Sequence, residues 1–325
     1  MEKKKIGIIS PAYNLLPVFP KRRETGKKNL EEIGLEPIFL KNAIRDYSTN
    51  KKEVEERINE INEMVKQDVD VIMASMGGYT SIQTLDKIDY QAVKEKQIPF
   101  CGFSDITSLL LALYTKTGVE MLYGPVYTVN MCDYGGIDSY TKENFLNCLE
   151  GKRMELKPSP YYMPEFIDWK DLEEKVIIKK QVPKEADWKY LKPGKCEGKL
   201  IGGNLTTLLL LTGTEYLPIE TFDNKILFIE ECEMNMDEFC SHMESLRLKG
   251  ILDRVNGVLI GKFDTEDMNE NIEEFLKDYM KEYNKPVIYN MDFGHVFPIL
   301  TLPIGRDAKV ECKNKKIKVE LLERK

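Results

Sequence analysis

The sequence predicts an α/β protein made of two units, each built on an open parallel sheet. Three observations carry this. Short apolar strands alternate with amphipathic helices through the first half, the rhythm stops over a Pro- and Trp-rich stretch, and it resumes near Gly198. Strand–helix–strand alternation calls for parallel strands joined by crossover helices. In such sheets ligands gather at the carboxyl ends of the strands.

The elements follow in order. Residues 5–10 read as a buried strand that stops at Ser10-Pro11, and 37–40 as a second short strand. Residues 52–67 carry Val54, Ile58, Ile61 and Val65 among charges, one apolar face of a helix. Residues 69–74 form a strand that ends before Gly77-Gly78, and 99–102 form another. A turn and an apolar helix over about 106–114 follow. The loops at Ser10, Gly77-Gly78 and Ser104 all come after strands, so they are expected on one sheet edge.

Residues 150–197 hold Pro158, Pro160, Pro164, Pro183, Pro193, Trp169 and Trp188. They read as a long interdomain connection, ordered and functional because of the tryptophans. The second unit then gives strands at 226–230, 255–263 and 287–290, with helices at 236–248 and 272–283. Residues 309–312 and 316–321 read as a closing hairpin around Lys313-Asn314-Lys315, with Lys313, Lys315, Lys316 and Lys318 on its solvent face. The expected division is 1–150, a connection over 151–197, and 198–325.

Composition narrows the function classes. The chain has 325 residues, 42% of them hydrophobic, and a formal charge of −7. That balance offers no general attraction for a nucleic acid polymer or an anionic membrane. Seven cysteines occur with no CxxC pair. They are expected as free thiols, with no disulfide framework and no metal cluster. The apolar run at 6–9 is shorter than the roughly 7–15 residues of a secretory core. The runs at 108–114 and 208–211 fall far short of the ~20 residues that span a bilayer. A soluble cytoplasmic protein is the expectation.

The sharpest chemical feature is Phe100-Cys101-Gly102-Phe103-Ser104-Asp105-Ile106-Thr107. A strand runs into a serine and then directly into a helix, the geometry of a nucleophile elbow. The plainer reading is a Ser N-cap with Asp105 in the first turn. A nucleophilic serine needs a base, and imidazole suits because its pKa is about 6.5. Of the two histidines, His242 sits in a helix beside Phe239, Met243 and Leu246 and reads as structural. His295 lies in the post-strand loop Asp292-Phe293-Gly294-His295, better placed to meet another loop. A carboxylate must orient such a base. Glu230 ends an apolar strand at the right edge, and alternation lets only one of Glu230 and Glu231 reach His295. Gly77-Gly78 can turn backbone amides toward an oxyanion or a phosphate. Gly202-Gly203-Asn204 either lines the site or tightens the entry to the second unit.

Taken in order and spacing, these segments resemble the S66 serine peptidases, which include L,D-carboxypeptidases and microcin C immunity proteins. The matching pieces are Ile8-Ile9-Ser10-Pro11, Gly77-Gly78-Tyr79, residues 101–107, Tyr123-Gly124-Pro125, Gly202-Gly203-Asn204-Leu205, residues 227–231, Gly261-Lys262-Phe263 and Gly294-His295. The resemblance implies a triad of Ser104, Glu230 and His295, with backbone amides of Gly78 and Asp105 as the oxyanion hole. It also implies a flavodoxin-like first domain, a smaller swivelling α/β second domain, a homodimer, and neither metal nor cofactor. That family's elbow likewise lacks the second glycine of the hydrolase pattern.

The L,D-carboxypeptidase branch usually reads Arg-Gly-Gly-Tyr-Gly where this chain has Met76-Gly77-Gly78-Tyr79-Thr80. Lys116-Thr117-Gly118 and the Trp-bearing connection look more like the microcin-immunity branch. There a connection Trp stacks on a nucleobase, and Trp188 is the nearest match, with Trp169 the other choice. The expected substrate is therefore a peptidyl- or aminoacyl-nucleotide, contacted by Gly77, Asn204 and Trp188. A murein tetrapeptide is the alternative within the class. A non-catalytic small-ligand binder is the alternative outside it. Activity is expected to fall with pH through a His295 pKa of about 6–7.

Overall fold

The computed structural model describes residues 3–163, 169–184, 188–263 and 266–324. In the first lobe β1 (Lys4–Ile9), β2 (Leu35–Phe39), β3 (Val71–Ala74), β4 (Phe100–Gly102) and β5 (Met121–Tyr123) run parallel. Helices α1 (Pro20–Glu32), α2 (Lys51–Lys66), α3 (Tyr90–Lys96) and α4 (Thr107–Thr117) fall between them, and α5 (Ser139–Leu149) follows. The connection carries β6 (Met154–Leu156), β7 (Tyr161–Tyr162), α6 (Trp169–Glu174), β8 (Val182–Pro183) and β9 (Lys189–Lys192).

The second lobe opens with the long β10 (Gly194–Asn204) and α7 (Leu205–Leu211), then β11 (Ile226–Glu230), α8 (Met236–Leu248), α9 (Ile251–Arg254) and β12 (Gly257–Gly261). It ends with α10 (Glu266–Tyr279), β13 (Val287–Met291), β14 (Leu302–Ile304), β15 (Asp307–Lys313) and β16 (Lys316–Leu321). The first sheet has the order β14-β5-β4-β3-β1-β2 and the second β6-β16-β15-β10-β11-β12-β13-β9. The late strand β14 thus pairs antiparallel with β5 of the first lobe, while β6 and β9 of the connection form the two edges of the second sheet.

The mixed α/β architecture with parallel strands is the one expected. Most elements fall within a few residues of their predicted places, and the hairpin at the C-terminal end is present with Lys313 opposite Lys316. Its turn residues Asn314 and Lys315 both have positive φ, the backbone that matches strand twist in a tight hairpin. The seven cysteines are free thiols. Among the described residues, no helix is long and apolar enough to cross a membrane.

Two local features position the site. Helix α2 buries charge as well as Ile61, Met64 and Val65. Glu60 pairs with Arg45 at 2.7 Å and accepts the Ser10 amide at 3.0 Å, while Arg57 donates to the carbonyls of Pro11 and Thr80. Buried ions persist only when paired and hydrogen-bonded. Here that pairing fixes the loops after β1 and β3. The lobes meet where β10 ends. Gly203 lies so close to Thr107, the first residue of α4, that a β-carbon there would stand 2.5 Å from the Thr107 methyl. Beside it the Asn204 amide donates to Thr107 Oγ1 at 3.0 Å.

Candidate active site

Ser104 leaves β4 in the left-handed region, φ +62°. That conformation costs a non-glycine residue about 1–3 kcal/mol and persists only where the surroundings impose it. Its side chain does not cap the helix; Phe103 holds the cap position. Gly102, two residues earlier, is needed because a β-carbon would stand 2.8 Å from Ile106 Cγ2. Ile106 folds back over Gly102, so the glycine of this elbow is required before the serine and not after it.

Glu230 ends β11, fully buried, and the loop after β13 passes directly over it. Gly294 has φ +92°, and a β-carbon there would lie 2.1 Å from Glu230 Oε2. This close approach lets the His295 amide donate to Glu230 Oε2 at 3.1 Å while His295 Nδ1 meets the same oxygen at 2.8 Å. The other ring nitrogen, Nε2, lies 3.1 Å from Ser104 Oγ. Glu230 Oε1 accepts from the Tyr123 hydroxyl at 2.6 Å and from Asn204 Nδ2 at 3.3 Å. Glu231, just beyond β11, shares the Asn204 Nδ2 donor with Glu230 and also accepts from the Thr206 amide at the start of α7.

These contacts set the protonation states. Burial raises the Glu230 pKa, but the His295 charge and the donors around the carboxylate outweigh it and hold Glu230 below its ordinary value. Burial pulls His295 down, but Glu230 and the Cys232 thiol outweigh it and hold the imidazole well above 6.5. Burial and then Glu230 push the Tyr123 phenol well above its ordinary value, so it stays a donor.

The Gly-Gly loop abuts the serine. A β-carbon on Gly77 would stand 3.1 Å from Ser104 Cβ and 3.3 Å from Oγ. Gly78 has φ +153°, with the Tyr13 ring 3.0 Å from where its β-carbon would be. Asp105 ties this loop to the elbow. Its carboxylate accepts the amides of Thr80 at 3.0 Å and Ser81 at 2.8 Å, and its carbonyl accepts the Ser81 hydroxyl at 2.6 Å.

Trp188, expected against the substrate, is only 9% exposed, and its indole donates to Asp292 Oδ2 at 2.7 Å. The same carboxylate takes Lys184 at 2.7 Å and Lys262 at 2.6 Å through Oδ1, and the Ser159 amide at 2.9 Å through Oδ2. Trp188 is therefore engaged by a buried node three residues before His295. The Trp169 side chain lies outside the described residues. Lys184 and Lys262 border a cavity of about 400 Å³ with Tyr162, Lys189, Tyr289 and Asn290. His242 sits on α8, its Nδ1 2.6 Å from the Glu238 carbonyl, apart from Ser104. Nothing in the sequence marks Tyr123 or Asp292 for a role: Tyr123 lies in the run Tyr123-Gly124-Pro125, and only the pairing of lobes reveals its partner.

A two-lobed α/β fold in which a serine on a strained elbow, an imidazole and a buried carboxylate stand in series is that of a serine peptidase. The family model for the N-terminal domain of LD-carboxypeptidases (peptidase S66) matches residues 6–124, and that for their C-terminal domain matches residues 197–310. The chain belongs to this family. It is 31% identical over 275 residues to the microcin C7 self-immunity protein MccF of Escherichia coli, covering 82% of this chain and 78% of that one. It is 31% identical over 314 residues to the putative carboxypeptidase YocD of Bacillus subtilis, covering 94% and 93%. Among solved structures, an MccF-like protein from Bacillus anthracis superposes with a TM-score of 0.88 at 30% identity, covering 100% of this chain and 98% of that one. MccF in complex with glutamyl sulfamoyl guanosine gives 0.89 at 27% identity, covering 100% and 97%.

Proposed function

We propose that this peptidase cleaves an amide through Ser104, His295 and Glu230, by way of an acyl-enzyme. The observation that carries the reading is the hydrogen-bond series from Ser104 Oγ through His295 to Glu230, with steps of 3.1 and 2.8 Å. Neutral His295 takes the Ser104 proton as the oxygen attacks the carbonyl carbon. Glu230 holds the ring and stabilises its cation. The Gly78 and Asp105 amides take the oxyanion. His295 returns the proton to the departing amine, and water then hydrolyses the ester by the same steps in reverse.

The substrate we favour is a peptidyl- or aminoacyl-nucleotide. Support comes from relatives: MccF has been solved with glutamyl sulfamoyl guanosine and with aspartyl sulfamoyl adenosine, both at 27% identity to this chain. A murein peptide is the second reading, favoured by a Bacillus subtilis relative described as a probable murein peptide carboxypeptidase, 26% identical over 324 residues. A homodimer in the cytoplasm completes the proposal, with 1–150 and 198–325 as its lobes.

The test sets an aminoacyl sulfamoyl nucleoside beside a murein tetrapeptide, with wild type and Ser104→Ala. Loss of turnover on the order of 10³-fold or more in the variant supports the serine assignment. Retained turnover would remove it, and the preferred substrate decides between the two readings.

A further inference from the structure

Tyr123 connects two parts of the site that belong to different lobes. It is the last residue of β5 in the first sheet, with no exposed surface. Its hydroxyl accepts the Ser104 amide at 3.3 Å and donates to Glu230 Oε1 at 2.6 Å. Its ring packs on Phe228 of β11, centroids 5.4 Å apart. One oxygen atom therefore touches the backbone of the strained elbow on one side and the carboxylate of the other lobe on the other.

We infer that Tyr123 is a positioning residue for the reaction, acting mainly through Glu230, with the Ser104 backbone as its second contact, and not on the substrate. This rests on the reading of Ser104 as nucleophile. Two arguments support it. The Ser104 amide is engaged by Tyr123, so it holds the elbow in its left-handed turn and leaves the oxyanion to the amides of Gly78 and Asp105. Glu230 has both oxygens occupied: Oε2 by the amide and ring of His295, Oε1 by Tyr123 and Asn204. A fully buried carboxylate stays ionised only when its lone pairs are satisfied. Tyr123 makes the shorter of the two Oε1 contacts, and it sets the rotation of the carboxylate against the imidazole.

Removing the hydroxyl has a specific consequence. Glu230 still has Asn204 and both His295 donors and stays ionised; with one donor fewer it keeps more charge for the imidazolium, so it holds the His295 proton more tightly. The acid limb of reactivity then moves to higher pH. The titratable and charged groups around this pair are Ser104, Cys232 and Glu231, the last through Asn204. Of these only Ser104 touches the hydroxyl, through its backbone amide, and the substitution adds or removes no charge.

The test is Tyr123→Phe, read by the rate constant for labelling Ser104 with a fluorophosphonate across pH. Wild type, Glu230→Gln and the double variant are measured alongside. Rate constants refer to labelled protein, so an unfolded fraction lowers the end point and not the rate. We expect the Phe variant to label about 10- to 100-fold more slowly, as the loss of a hydrogen bond to a charged group predicts. Its acid limb should lie above that of wild type. In the Glu230→Gln background the Phe effect should shrink to within about threefold, because the two groups act as a unit. Unchanged rate and limb, an equal effect in both backgrounds, or a variant with no folded fraction would overturn the inference. Wild type that does not label would instead overturn the reading of Ser104 beneath it.

Discussion

Gly294 and Glu230 are in contact so close that a β-carbon on the glycine would lie 2.1 Å from the carboxylate oxygen. The glycine is required twice over, by its φ of +92° and by the space. Gly294→Ala must displace either Glu230 or the loop that carries His295. We expect kcat/KM to fall about 10²-fold or more, the scale of a misplacement of about 1 Å in a reacting group. Steady-state kinetics of the purified variant on whichever substrate is turned over checks this; a fall of under fivefold would show that the loop absorbs the methyl.

The pH dependence follows from the His295–Glu230 pair. The proposed mechanism needs neutral His295; burial lowers its pKa, but Glu230 and the Cys232 thiol outweigh burial and raise it well above 6.5. The acid limb of kcat/KM should therefore lie well above the ordinary imidazole value of 6.5. Glu230→Gln removes the charge that raises it, so the limb moves to lower pH while the rate falls. A limb unmoved in that variant would mean that another group titrates.

Asp105 makes a separate prediction. Its carboxylate holds the amides of Thr80 and Ser81 and so fixes where Gly77-Gly78 stand against Ser104. Asp105→Ala frees that loop without altering Ser104, His295 or Glu230. We expect kcat to fall about 10²-fold, near the cost of losing one oxyanion donor, with less change in KM. Kinetics of the variant decide it, and wild-type kcat would detach the loop from catalysis.

Trp188 and Asp292 bear on stability. Trp188→Phe removes a 2.7 Å donor from a carboxylate that also holds two lysines. The expected cost is about 1.5–3 kcal/mol, seen as a lower denaturation midpoint. The preference between nucleotide and murein substrates should stay as in wild type. Discrimination that falls with stability intact would return the indole to the substrate.

Much of this was legible in the sequence. The strand–serine–helix run at 100–107 needs no tertiary information, and Glu230 stands out as the last residue of the apolar strand β11. Helix α1 escaped because its inward face carries Arg22 and Asn29 instead of an apolar stripe. They are buried against the carbonyls of Thr128, Met131 and Asp133. The strands within the connection escaped for a related reason. Lys189–Lys192 and Met154–Leu156 are edge strands of four and three residues, each broken by charge and too short for a buried-run signature. The role of Tyr123 was invisible because its partner sits 107 positions away on another sheet.

The excursion of β14 has a practical consequence. After supplying His295 to the cleft, the polypeptide lends three residues to the edge of the sheet that carries Ser104 and only then returns to finish its own. Neither half can be excised as one contiguous fragment. A protein ending near residue 300 keeps Ser104, Glu230 and His295 yet bares the β5 edge, an invitation to pair with neighbouring molecules. Anyone dissecting this enzyme by truncation should expect aggregation from the half left untouched.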